Sequence, residues 1–123
     1  MALIPFDDRD GVLWFDGRVI PWRDARLHVL SHGLHYGSCV FEGERAYGGR
    51  IFKLEEHTKR LYASAAIMGF EIPHSVEEIN TACRQLLKEM NLAEAYVRPV
   101  AWRGSEMMGV SAQQNSIHTA IAV

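Results

Sequence analysis

The spacing of apolar residues changes twice along this chain, and that change narrows the folds open to it. Up to about residue 53, and again from residue 95, short runs place side chains alternately on two faces. Between them, apolar residues recur at intervals of three and four. A strand turns successive side chains to opposite faces, whereas a helix returns to one face every three or four residues. Strands on both sides of paired helices predict an α+β fold, an antiparallel sheet packed against two helices as a two-layer sandwich.

Turn chemistry divides the chain further. Val12–Phe15 and Arg18–Pro21 flank Asp16-Gly17, a pair that tolerates the positive φ angles of a two-residue hairpin. Residues 24–37 are mixed and hold two glycines, so they read as mostly irregular. Cys39–Tyr47 reads as one strand, Gly48-Gly49 as its turn and Arg50–Lys53 as the returning strand. The first helix has a stripe of Leu54, His57, Leu61, Ala65 and Met68, with Gly69 suited to the left-handed residue after its last turn. The second opens on a capping-box pattern, Ser75-Val76-Glu77-Glu78, carries Ile79, Cys83, Leu86 and Met90 inward, and closes at Asn91. Ala95–Trp102 and Ser116–Val123 are two more strands, joined by a loop containing Gly104 and Gly109. Residues 1–11 are a polar, loosely attached extension, and 12–123 form one domain. The final run, Ile117–Val123, is apolar and strand-like without a polar tail, so the chain is expected to be cut from a longer protein.

Composition excludes several classes. Apolar residues make up 48% and charged residues 23%, a globular balance. The net charge of −2 points to no nucleic-acid or anionic-membrane partner. No apolar run approaches the roughly 20 residues needed to span a bilayer. The start of the chain does not read as a signal peptide, and Cys39 and Cys83 are too few for a disulfide framework. A soluble protein of the reducing cytoplasm is expected.

The densest patch of reactive side chains runs from His28 to Arg45. His28, His32 and His35 could share a helical face and bind a metal, but Gly33 and Gly37 interrupt that face and no carboxylate or thiol completes the set. The preferred reading is hydrogen-bonding histidines in a packed loop, with no metal. Further on, alternation puts Phe41, Gly43 and Arg45 on one face and Glu42 and Glu44 on the other. The first set is an aromatic wall, a gap and a cation. An ordinary strand with a glycine bulge is the plainer alternative. Arg60 falls at the margin of the first helix's apolar stripe, where its fork could bind two phosphate oxygens. Tyr96 and Arg98 could offer a hydroxyl and a guanidinium to a carboxylate.

Taken together these words resemble a family. Trp14-Phe15-x-Gly17, His28-Val29-x-Ser31-His32-x-Leu34-His35-Tyr36-Gly37-x-x-Val40-Phe41-Glu42-Gly43, Glu56-His57-x-x-Arg60-Leu61, Tyr96-x-Arg98-Pro99 and Met108-Gly109-Val110 are similar, in order, to the start of branched-chain amino acid aminotransferases. These are fold-type IV enzymes dependent on pyridoxal 5'-phosphate (PLP). The likeness runs from about Val12 to the end and implies the small N-terminal domain of that fold.

The resemblance also implies roles. The position of Arg60 holds the PLP phosphate, and those of Phe41, Gly43, Tyr96 and Arg98 line the substrate pocket. Tyr36 and Val110 approach the pocket of a neighbouring subunit, so a homodimer or larger homo-oligomer is implied. Arg98 reads the glutamate side-chain carboxylate, while apolar surface receives leucine, isoleucine or valine, the amino group passing to 2-oxoglutarate. Glu44 departs from relatives that carry an apolar residue there, and by alternation it faces away from Phe41. The lysine that such chemistry needs is expected beyond Val123, since Lys53, Lys59 and Lys88 do not suit it, and the chain alone is expected to be inactive. D-amino acid aminotransferase, amine transaminase and aminodeoxychorismate lyase remain open as alternatives, as do a stand-alone interaction module and a metal-binding module.

Overall fold

The computed structural model describes residues 2–123. Seven strands form one antiparallel sheet: β1 (Val12–Phe15), β2 (Arg18–Pro21), β3 (Cys39–Phe41), β4 (Glu44–Tyr47), β5 (Arg50–Ile51), β6 (Ala95–Arg103) and β7 (Ile117–Ala122). They run in the order β2-β1-β7-β6-β4-β5, and β3 lies beside β6 ahead of β4. Three helices accompany them, α1 (His32–Tyr36), α2 (Leu54–Ile67) and α3 (Val76–Glu89), with a 3-10 turn at Trp22–Asp24. The expected α+β architecture is therefore present, with α2 and α3 on one face of the sheet. No described helix is long and apolar enough to cross a membrane.

The core lies between that face and the helices. Ile79, Cys83 and Leu86 of α3 pack on Ala46, Val97 and Ile121, and Leu61 and Ala65 of α2 pack with Phe70 on Val40 and Ala101. Both hairpin turns follow from their residues: Asp16 and Gly17 have φ of 49° and 92°, and Gly48 and Gly49 have 56° and 79°. The capping box of α3 is formed, with the Glu78 N–H donating to Ser75 Oγ and the Ser75 N–H to the Glu78 carboxylate.

Four expectations need correction. First, 39–47 is not one strand. Phe41 pairs with Val100 and Glu44 with Val97, so the register is unbroken and Gly43 makes no bulge. The break arises across the sheet: the Glu42 N–H donates to Pro99 O at 3.0 Å, but proline has no N–H to return. Second, Lys53 does not extend β5. The strand ends at Ile51, and Lys53 takes a left-handed φ of 58° to start α2. Third, α2 buries Leu54, Thr58, Leu61 and Ala65, whereas Met68 is 40% exposed. Thr58 enters the core because its hydroxyl donates to Asn80 Oδ1 of α3 at 2.5 Å. Fourth, 32–36 is a helical turn despite Gly33. A Cβ there would sit 3.0 Å from Trp102 Cβ, so glycine lets α1 lie against β6, and Gly37 ends it with φ of 69°.

Residues 2–11 have neither helix nor strand, yet they are tied to the turn that follows β2. Arg23 pairs with Asp8 and Asp10 at 2.6 and 2.8 Å. Trp22 Nε1 donates to Phe6 O at 2.5 Å.

Candidate active site

The segment Phe41–Glu44 divides its side chains between the two faces of the sheet. On the open side, Phe41 is 55% exposed and the Arg98 guanidinium lies 4.3 Å from its ring centroid. Arg98 donates Nε and Nη2 to Tyr96 Oη at 3.0 and 2.8 Å. With two donors received, the hydroxyl keeps its own proton to give to an acceptor. Gly43 makes this arrangement possible, since a Cβ there would meet Tyr96 Oη at 2.6 Å. Phe41, Gly43, Tyr96 and Arg98 thus form one group: an apolar wall, a gap and two polar ends. Tyr96 and Arg98 also wall a groove of about 680 Å³ that includes Phe6, Arg9 and Trp22. Arg9 is a second cation in that groove that sequence reasoning did not single out.

On the helix side, Glu42 is 4% exposed on its side chain. Arg60 Nε donates to Oε2 at 2.8 Å and Nη2 to Oε1 at 2.7 Å. His57 Nδ1 lies 2.7 Å from the same Oε1. Arg60, and His57 after it, hold the Glu42 carboxyl below its usual range. Arg60 is in turn raised by Glu42. The pair orients a guanidinium whose side chain is 68% exposed, at a cleft of about 330 Å³ shared with Lys53, Glu56 and His57. No hydrogen bond engages Nη1 among the described residues, and Lys53 adds a second cation, so the cleft suits one edge of an anion such as a phosphate. Two cations are fewer than a complete phosphate cradle provides. Glu42 had no role assigned from sequence; the usable signal was its place on the helix face, where a buried carboxylate requires a cation.

Glu44, next on that face, is 2% exposed, and neither carboxylate oxygen has a hydrogen-bond partner among the described residues. Burial, with the Glu42 charge adding to it, pushes its carboxyl up to about 7. Its direction away from Phe41 is as alternation requires.

Tyr36 and Val110 stand apart from the Phe41 group, joined to it by no hydrogen bond or ring contact among the described residues. Tyr36 Oη donates to Met108 O at 3.1 Å, and Val110 O receives His32 Nε2 at 3.0 Å. Their side chains are exposed. The histidines hydrogen-bond within the loop: His32 Nδ1 meets Ser38 Oγ at 2.6 Å, His35 Nε2 donates to Val29 O at 2.7 Å, and His28 Nδ1 receives the Leu30 N–H at 3.1 Å.

This sequence and this fold have close counterparts. Residues 39–123 match the family model described as amino-transferase class IV. The branched-chain-amino-acid aminotransferase of Pseudomonas aeruginosa is 53% identical over 119 residues, covering 94% of this chain and 39% of that protein. Branched-chain amino acid aminotransferase from Escherichia coli superposes with a TM-score of 0.87 at 39% identity, covering 93% of this chain and 40% of that one. The T.th. branched-chain amino acid aminotransferase complexed with N-(5'-phosphopyridoxyl)-L-glutamate does so at 0.88 and 39%, with the same coverage. The chain spans about two fifths of the length of the relatives it matches. Its sheet and two principal helices match the N-terminal domain of those structures. By sequence and by fold, the chain belongs to the amino-transferase class IV family.

Proposed function

We propose that this chain is the N-terminal part of a PLP-dependent transaminase that exchanges amino groups between branched-chain L-amino acids and 2-oxoglutarate in the cytoplasm, as a homodimer or larger homo-oligomer. The observation that carries the reading is the placement of two groups on opposite sides of one strand segment. Phe41, Gly43, Tyr96 and Arg98 offer an apolar wall beside a carboxylate reader, and Glu42 aims Arg60 at an anion. The relatives' names supply the reaction, and the phosphopyridoxyl-glutamate complex of the T.th. enzyme supplies the cofactor.

The cofactor would supply the electron sink for breaking the bonds at the amino acid's α carbon. This chain's residues bind and orient around it. Arg60 takes one edge of the phosphate, with its planar fork already fixed by Glu42. Arg98 receives the distal carboxylate of glutamate or 2-oxoglutarate, and the Tyr96 hydroxyl donates to the same group. Phe41 offers its exposed ring to leucine, isoleucine or valine and keeps water from the reacting end. Gly43 leaves space for Tyr96 to lie across the strand. Tyr36 and Val110 serve the pocket of a neighbouring subunit. The exposed apolar side chains of Leu34, Phe41, Met108 and Val110 support association of the domain with further protein surface.

On this reading none of Lys53, Lys59 and Lys88 serves as the catalytic amine. Lys59 pairs with Glu55 at 3.3 Å in solvent, and Lys53 belongs to the anion cleft. The test compares the 123-residue chain with a full-length enzyme carrying it, using leucine and 2-oxoglutarate with added PLP. Turnover by the full-length enzyme alone is expected; turnover by the chain alone would overturn the assignment of the lysine to residues beyond Val123. A panel of D-amino acids, amines and aminodeoxychorismate on the full-length enzyme separates the branched-chain reading from its relatives of the same fold.

A further inference from the structure

The loop between β6 and β7 presents Met107, Met108 and Val110 to solvent, with Met108 69% and Val110 75% exposed. Asn115 of the loop itself donates Nδ2 to Gly104 O and Met107 O, and side chains outside the loop reach Met108 O and Val110 O. One residue meets the loop twice: the His32 main-chain N–H donates to Gly104 O at 2.8 Å, where the loop begins, and its ring reaches Val110 O, at 3.0 Å, in mid-loop. A carbonyl only accepts, so Nε2 carries the proton. The other ring nitrogen meets Ser38 Oγ at 2.6 Å, and this fixes the ring plane. His32 is 5% exposed, and its ring lies against Tyr36 with centroids 4.5 Å apart. Tyr36 then reaches back to the loop through Met108 O at 3.1 Å. Ser38, His32, Tyr36 and the loop thereby close a ring of contacts with the imidazole at its centre.

We infer that His32 is a positioning residue for substrate selection: it sets the places of Val110 and Tyr36 together, and through them the preference of the full-length enzyme for apolar side chains. This rests on the reading of Tyr36 and Val110 as pocket residues. Arg98, the proposed carboxylate reader, lies outside the ring of contacts. Disturbing His32 therefore acts on leucine more than on glutamate.

The test uses the full-length enzyme with His32→Phe, which keeps a ring against Tyr36 but cannot donate, and His32→Gln, which keeps an N–H for Val110 O. Loss of one buried hydrogen bond corresponds to roughly a 10-fold change. For His32→Phe the KM for leucine is expected to rise about 10-fold with kcat and the KM for glutamate within about threefold, and His32→Gln to recover most of the loss. Hydrogen exchange at the amides of residues 107–112 is expected to speed up about 10-fold in the Phe variant and to stay near wild type in the Gln variant. Unchanged leucine KM and unchanged exchange in His32→Phe would overturn the inference, as would equal losses for leucine and glutamate that His32→Gln does not rescue. If His32→Phe does not fold, Ser38→Ala frees the same ring and is expected to raise the leucine KM about threefold; an unchanged value would overturn the inference. Absence of leucine turnover in the wild-type enzyme strikes the underlying reading instead, and the exchange measurement still decides the role of His32 in the loop.

Discussion

On its helix side the sheet presents Ala46, Val97, Ala101 and Ile121, each with no exposed surface, while its other side turns Phe41 and Tyr96 outward at 55% and 45% exposure. The two faces differ by one residue of register, and that step separates what holds the domain together from what it leaves open to solvent. The carboxylates of the covered face repeat the contrast on a smaller scale. Glu42 has a fork of donors and serves Arg60, whereas Glu44, two residues on, has none. Burial alone therefore does not set the state of a carboxylate here; the partner supplied by a neighbouring element does.

Paired truncations test the division most strongly. Leu61 is fully buried between α2 and the sheet, so Leu61→Ala is expected to cost about 3 kcal/mol of unfolding free energy. Phe41→Ala, on the open face, is expected to cost less than about 1 kcal/mol. Urea unfolding of both variants at one temperature measures the difference. Equal losses would mean that the open face also carries the core.

The next effect contrasts the two carboxylates through pH. The Glu44 carboxyl is raised in the folded chain from 4.5 to about 7, so folding favours its protonated form. Its stabilising contribution is fully present below the unfolded value and is lost as pH rises through about 7. The loss is on the order of 1–3 kcal/mol for a shift of this size. Glu42 has the opposite sign: its carboxyl is lowered by Arg60 and then His57, so its contribution is present above the unfolded value and is lost as pH falls through the folded one. Urea midpoints between pH 5 and 8 are expected to fall for the wild type and to level out in Glu44→Gln. A wild-type profile that stays flat in this window would show that Glu44 finds a partner in solution.

How much of this was readable beforehand depends on the distance over which each feature is decided. Asp16-Gly17 and Gly48-Gly49 require positive φ wherever they stand, so both hairpins were legible locally. Alternation likewise grouped Phe41 with Gly43, and Tyr96 with Arg98, before any contact was known. The break between β3 and β4 was not legible, because Pro99 removes a hydrogen bond only once β6 lies alongside. Thr58 in place of Met68 on the buried stripe depends on Asn80 of another helix, and helical Gly33 depends on Trp102 in β6. The same limit hid Glu42 and His32, whose partners lie 18 and 78 residues away in Arg60 and Val110.

The smallest effect asks whether the open face works by charge or by shape. Arg98 contacts Phe41 by its guanidinium plane and Tyr96 by two donors at once, and a lysine ammonium can match neither with its point charge. In the full-length enzyme Arg98→Lys keeps the charge needed to attract a carboxylate but not the paired bonds that place the Tyr96 hydroxyl. We expect kcat/KM for glutamate to fall about 10-fold, or roughly 1.4 kcal/mol, with leucine changed much less and stability within about 0.5 kcal/mol of wild type. Equal losses for glutamate and leucine would assign Arg98 to building the face rather than reading a carboxylate. Full retention of both would reduce its role to charge, and the planar contact with Phe41 would then be a packing detail rather than the device that aims the site.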